Sequence, residues 1–169
     1  MENDESKLEI ARQYFEKALE INKTAYSGYL RRLSASANNF GIILKDQGNL
    51  ERARRFFRRA LAIDELAYGT RHPEVAMDIT NLGFLLKDQG NLAQAQIYFE
   101  RALKINEAAY GLEHPNVAGV VNSLGIVLKE QGEIASAKAH FARALQIFRR
   151  FLGDKHPSTV AVKNNINSL

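Results

Sequence analysis

The chain of 169 residues has the length of one globular domain, and a hydrophobic content of 46% is sufficient for a folded core. It has no cysteine, which excludes disulfide scaffolds and cysteine-based catalytic or zinc sites, and no apolar stretch approaches the ~20 residues of a membrane span. The net charge of +4 is too small to indicate a nucleic-acid partner by itself. The acidic N-terminus lacks the apolar segment of a signal peptide, so we expect a cytoplasmic protein.

An internal repeat of 42 residues runs through the sequence. It is most visible in His-Pro and Gln-Gly pairs and in a phenylalanine that recur at this spacing. The recurring positions are His72-Pro73, His114-Pro115 and His156-Pro157, then Gln47-Gly48, Gln89-Gly90 and Gln131-Gly132, and then Phe15, Phe57, Phe99 and Phe141. So many coincidences at one period establish a repeat architecture.

Each complete unit is predicted to form a hairpin of two helices, which we name A and B. In the unit 69–110, apolar residues recur at steps of three and four over 75–86 and again over 92–105, as amphipathic helices require. Pro73 suits the first turn of helix A, while Gly90 and Gly111 suit the left-handed positions that end helices A and B. Asn91 is a suitable N-cap for helix B.

The same register predicts about eight helices and no strands. In chain order these are a lone B helix over 6–26, A–B pairs over about 30–68, 73–110 and 115–152, and a lone A helix over 157–169. We therefore expect a single domain, 1–169. It consists of a half repeat (6–26), three repeats (27–68, 69–110 and 111–152) and a second half repeat (153–169).

The fine pattern within the unit resembles the tetratricopeptide signature, although HEAT and armadillo repeats have similar lengths. The matching positions are Leu82-Gly83, Leu86, Gly90, Leu92, Ala95, Phe99 and Ala102. With the His-Pro-x-Val-Ala and Asn-Leu-Gly motifs, the 42-residue unit is similar to the repeats of kinesin light chains. It also resembles the repeat sensor domains of NB-ARC-type signalling ATPases.

The resemblance implies an all-α, right-handed superhelix of antiparallel hairpins, in which small residues such as Gly83 and Ala95 let helices A and B approach. The first unit departs from the pattern. Ser27 replaces the usual glycine, and Leu30-Arg31 stands where His-Pro is expected.

No arrangement of residues in the sequence indicates an enzyme or a cofactor. There is no P-loop, nucleophile elbow or metalloprotease helix motif. His72, His114 and His156 belong to successive repeats, which lie ~10 Å apart, whereas zinc needs its ligands at ~2 Å. We predict a structural role for these histidines, at the turns that precede the helix-starting prolines.

The helix predicted over 50–68 is rich in arginine, with Arg52, Arg54, Arg55, Arg58 and Arg59. Such a helix suits an anionic partner, including nucleic acid. Because the B helices face outward in tetratricopeptide arrays, we favour a solvated surface and keep anion binding as the alternative.

The A helices carry a recurring set of polar and apolar residues on the face that lines the concave groove of tetratricopeptide arrays. Asparagine can hydrogen-bond a peptide backbone without reading its sequence, lysine attracts anions, and the apolar positions accept a side chain. The predicted groove residues are Asn38, Asn39, Ile42, Lys45, Thr80, Asn81, Phe84, Lys87, Asn122, Ser123, Ile126 and Lys129.

We therefore predict a protein–protein interaction module that binds an extended peptide or partner segment in this groove. The alternatives are anion or nucleic-acid binding through helix 50–68, and a purely structural or designed repeat scaffold. The two half repeats are complementary, so weak head-to-tail self-association of 157–169 on 6–26 of a second molecule is also expected.

Overall fold

The computed structural model describes the backbone of residues 2–169 and the side chains of 28–169, together with those of Tyr14, Lys17, Ala25 and Tyr26. Over this part of the chain the fold is a solenoid of seven helices without strands, so the predicted all-α solenoid is confirmed. The helices are α1 (Glu2–Asp46), α2 (Leu50–Tyr68), α3 (Pro73–Asp88), α4 (Leu92–Tyr110), α5 (Pro115–Glu130), α6 (Ile134–Leu152) and α7 (Pro157–Asn167).

The first helix differs from the sequence prediction. The separate helices expected over 6–26 and from about residue 30 form one continuous helix, α1, of 45 residues. Each later junction between a B helix and the next A helix combines a glycine at positive φ with a proline that starts the A helix. Ser27 and Leu30-Arg31 provide neither signal, so nothing in the backbone chemistry interrupts α1. The described part of the chain therefore has seven helices, close to the predicted number of about eight.

The junctions between helices B and A are built as the sequence predicts. Gly69, Gly111 and Gly153 have φ between 81° and 83° and follow the last turn of each B helix. Three residues later a histidine caps the next helix, with its Nδ1 accepting a hydrogen bond from the backbone N–H two residues on. These caps are His72 on Glu74 (3.2 Å), His114 on Asn116 (3.1 Å) and His156 on Ser158 (3.2 Å). The structural role predicted for the histidines is confirmed.

Small residues bring the two helices of each hairpin into contact. A Cβ atom on Gly41, Gly83 or Gly125 would lie 2.5–2.7 Å from the ring of the phenylalanine on the partner helix. Real Cβ atoms do not approach so closely, so only glycine fits at these positions. Ala53, Ala95 and Ala137 are completely buried on the opposing B helices.

Neighbouring hairpins share clusters of buried apolar residues. The cluster around Phe99 contains Val75 and Ile79 of α3, Ala102 of α4, and Leu124 of α5. We call the surface formed by residues 28–46 of α1 with α3, α5 and α7 the A face. Each repeat is stabilised by its neighbours, as in other solenoids.

Candidate functional site

Asparagine side chains connect neighbouring A helices. Asn81 Nδ2 donates to Asn38 Oδ1 at 3.2 Å, and Asn165 Nδ2 donates to Asn122 Oδ1 at 2.9 Å. Each bond joins one helix to the next across 43 residues of sequence. These bonds tie successive repeats together, which gives mid-helix asparagine a structural reason as well as the predicted binding role.

The step between α3 and α5 lacks this amide bridge. Thr80 and Ser123 occupy the corresponding positions, and their hydroxyls donate to the carbonyls of Ala76 (2.7 Å) and Gly119 (3.0 Å) in their own helices. Two small side chains that bond within their helices leave the surface between α3 and α5 more open than the two amide-bridged steps.

The predicted groove residues lie on the A face but differ in exposure. Asn39 and Ile42 are exposed, whereas Asn38 and Ser123 are buried. Half-buried members are Thr80, Asn81, Phe84, Asn122 and Ile126. A buried Asn38 with both amide atoms bonded inside the protein is not accessible to a ligand.

The predicted lysines are engaged with neighbouring repeats. Lys45 lies 3.4 Å from Asp88, and Lys87 lies 2.9 Å from Asp88 and 3.8 Å from Glu130. The hydrogen bond to Asp88 raises the pKa of Lys87. Lys129 Nζ donates to Ser168 Oγ at 2.7 Å. Because carboxylates balance Lys45 and Lys87, these two present little net positive charge.

A pocket of about 570 Å³ lies on the A face between α3 and α5. It combines predicted groove residues, including Thr80, Asn81 and Phe84, with residues that the sequence prediction missed. The latter include Met77 and Gly119 on the A helices and Asn106, Tyr110 and Phe148 from the B helices. Its size and mixed lining are those of a ligand site.

A buried pair of carboxyl groups lies where α1, α2 and α3 meet. Asp64 and Asp78 are 3% and 0% exposed. Ser34 Oγ donates to one oxygen of Asp64 at 2.6 Å, and Asn38 Nδ2 donates to one oxygen of Asp78 at 2.5 Å. The second oxygen of each carboxyl has no partner within the described residues.

Burial raises the pKa of Asp78 from 3.8 to about 7; the hydrogen bond from Asn38 opposes this shift, and the charges of Asp64 and Glu74 add to it. Two buried carboxyls side by side are stable when one of them holds a proton. Through Asn38, which also accepts from Asn81, this pair is connected to the A face.

The arginines of α2 lie mostly at the surface. Arg52, Arg55, Arg58 and Arg59 are exposed, and half-buried Arg54 lies 3.9 Å from Glu51. They belong to a B helix, and none of them lines the pocket on the A face.

The A–B hairpins, the close-approach glycines and the shared core define the class of helical-hairpin solenoids. Within this class, the chain belongs to the tetratricopeptide repeat family, whose model matches residues 1–66, 32–108 and 74–150. None of the curated protein sequences matches the chain significantly.

Solved structures share this fold at low sequence identity. BtubC (BKLC) from P. vanneervenii is 21% identical with a TM-score of 0.71, over 88% of this chain and 63% of its own. A kinesin-light-chain-type protein of P. anserina with nearly identical TPR-like repeats is 19% identical with a TM-score of 0.74, over 82% and 65% of the two chains. The N-terminal domain of stress-induced protein-1 from C. elegans is 17% identical with a TM-score of 0.58, over 80% and 96%.

These findings confirm a tetratricopeptide repeat array, and its fold is shared by solved repeat structures of the kinesin-light-chain type. Membership of this family supports a protein–protein interaction module as the general class of function. None of the helices in the described part combines the length and apolar character that a bilayer crossing requires. The predicted contact of 157–169 with 6–26 is not tested, because within 6–26 only the side chains of Tyr14, Lys17, Ala25 and Tyr26 belong to the described residues.

Proposed function

We propose that the A face binds an extended peptide segment of a partner protein, with the pocket between α3 and α5 at the centre of the contact. The observation that carries this proposal is that pocket, which opens where the asparagine bridge between neighbouring A helices is interrupted. The proposed activity is reversible binding, without chemical conversion of the ligand.

Three features of the A face support a peptide ligand. Half-buried amides at Asn81 and Asn122 lie at the surface and offer hydrogen-bonding groups to a peptide backbone. Apolar side chains recur beside them, with Ile42 exposed at 40% and Phe84 packed edge-on against Phe99 at 5.1 Å. The amides and apolar side chains follow the row of A helices, so a ligand in extended conformation matches their repetition.

The alternative is anion binding by α2, which is favoured by the four exposed arginines Arg52, Arg55, Arg58 and Arg59. A polyanion would bind here with an affinity that falls steeply as salt increases. A peptide held by apolar and amide contacts would respond weakly to salt, so the two functions are separable by one titration series.

A matched pair of exposed isoleucines tests which surface binds. Ile42 lies on the A face and is 40% exposed, while Ile97 lies on α4 among the B helices and is 60% exposed. A displayed library of random twelve-residue peptides is selected on the wild-type protein, and the affinity of the enriched peptides is then measured for Ile42→Glu and Ile97→Glu.

We expect Ile42→Glu to weaken binding at least tenfold and Ile97→Glu to leave it unchanged, with both variants as stable as the wild type because the substituted residues are exposed. The reverse pattern would assign binding to the B-helix surface, where Ile97 also lines a pocket, and would contradict the proposal. A library without enriched peptides, together with tight and salt-sensitive binding of a polyanion, would favour α2.

A further inference from the structure

No close packing contact requires a glycine at position 119. It lies inside α5, where glycine destabilises a helix by about 1 kcal/mol relative to alanine. At Gly83 an added Cβ would lie 2.7 Å from the Phe99 ring, but at Gly119 it would meet nothing within 4 Å. The absent side chain therefore leaves open space at the surface.

That open space is part of the pocket between α3 and α5. At the equivalent position of α3 stands Met77, which is 47% exposed, and the equivalents in α1 and α7 are Ala35 and Ala161. Only α5 among the described A helices lacks a side chain here. Gly119 lines the pocket together with Thr80 and Phe84, and the missing side chain adds to the open volume.

The pocket lining includes one side-chain amide that is available to a ligand. Asn106 is 7% exposed and lines the pocket, and its side chain makes no hydrogen bond within the described residues. The equivalent positions hold Asp64, which is bonded to Ser34, and Phe148, which is apolar. The buried polar atoms without a partner belong to other residues, so the amide of Asn106 is open to water from the pocket, and a ligand that bonds this amide takes the place of that water.

The other lining residues indicate which chemical group of a ligand the pocket accepts. Phe84, Val120 and Phe148 present apolar surface, and Glu74 is the only charged residue in the described lining. A carboxylate is disfavoured beside Glu74, whereas an aromatic ring fits the apolar walls. A phenol adds a hydroxyl that both donates and accepts, which is what an unpartnered amide requires.

We propose that this pocket takes a tyrosine side chain of the bound peptide, with its hydroxyl hydrogen-bonded to Asn106 and its ring passing over Gly119. The inference rests on the peptide-binding function proposed above, and it names the side chain that anchors the peptide. Gly119 and Asn106 are the residues that set this specificity.

Peptides selected from the same random library on the wild-type protein provide the test. We expect the enriched peptides to share a tyrosine, and the replacement of that tyrosine by phenylalanine to weaken binding about fivefold to tenfold, the effect of one hydrogen bond. With Asn106→Leu the difference between the tyrosine and phenylalanine peptides should disappear.

Gly119→Met closes the pocket and should weaken binding at least tenfold. Its unfolding midpoint should be equal to or above that of the wild type, because the helix gains a better helix former and nothing obstructs the side chain. Ala35→Met is the matched control, since it adds the same side chain at the equivalent exposed position of α1, outside the pocket.

Peptides that bind without a tyrosine preference would overturn the inference, as would full affinity in Gly119→Met. If Ile42→Glu still abolished binding in that case, the proposal that the A face binds the peptide would be retained and the proposal of a tyrosine pocket would be rejected. If no peptide were enriched, the proposed function itself would fail.

Discussion

Replacement of Asp78 by asparagine removes one carboxyl from the buried pair and should make the protein more stable at alkaline pH. Asparagine has nearly the same shape, so Asn38 can still bond its oxygen while the new amide donates to the unpartnered oxygen of Asp64. The variant therefore holds permanently the neutral state that the wild type reaches only by binding a proton.

The magnitude follows from the pKa of Asp78, which burial raises from 3.8 to about 7. Between these values the folded protein holds a proton that the unfolded chain has released, so the free energy of unfolding falls as pH rises. One pH unit corresponds to 1.36 kcal/mol, which gives a loss of about 3 kcal/mol between pH 5 and pH 8. In Asp78→Asn this contribution is absent.

The assay is urea unfolding at a series of pH values from 5 to 8, followed by far-ultraviolet circular dichroism. The stability difference between Asp78→Asn and the wild type should grow in favour of the variant as pH rises. Asp64→Asn should reduce the pH dependence only in part, because it removes the charge of Asp64 while burial, the largest cause of the raised pKa of Asp78, remains. Asp46→Asn is the control, since that side chain is 66% exposed.

A constant difference across this pH range would refute the reasoning, because it would show that Asp78 does not exchange a proton there. A variant less stable than the wild type at pH 8 would show that the ionised pair is favourable in the folded protein.

Three further predictions concern stability, and urea unfolding of each variant at neutral pH measures all of them. Gly83→Leu should destabilise by about 1–3 kcal/mol or more, because an added Cβ already lies 2.7 Å from the Phe99 ring; an unchanged midpoint would contradict this packing. His114→Ala should lose the helix cap on Asn116 and about 1 kcal/mol; no loss would show that the cap is dispensable. Gly119→Ala should instead stabilise by about 1 kcal/mol, and a loss would reveal a contact at this site.

Most of the fold could be predicted from the repeat, because residues 42 positions apart occupy equivalent places in successive units. Two features recur with the period, so their local roles could be predicted from the sequence. They are the glycines packed against Phe57, Phe99 and Phe141, and the histidines that precede the helix-starting prolines. The first unit was harder. Its departures at Ser27 and Leu30-Arg31 were visible, but the periodic apolar pattern outweighed them, and the continuous α1 follows from the missing stop and start signals.

Contacts between non-equivalent positions could not be predicted in this way. The asparagine bridges join residues 43 apart, one more than the period, and the Asp64–Asp78 pair joins positions that are chemically different in the other repeats. The pocket has a clearer signal in the sequence, because Gly119 and Asn106 differ from the residues at the equivalent positions of the other repeats. These two departures from the repeat are the sequence features on which the proposed tyrosine pocket rests.

The central claim, that the A face holds the ligand, is tested most directly by nuclear magnetic resonance of the isotope-labelled protein during titration with a library-selected peptide. The account predicts that the backbone amide signals of α3 and α5 around Thr80, Gly119 and Ser123 shift most, together with the side-chain amide of Asn106. Shifts concentrated on the exposed surfaces of α2, α4 and α6, with the signals around Gly119 unchanged, would contradict it.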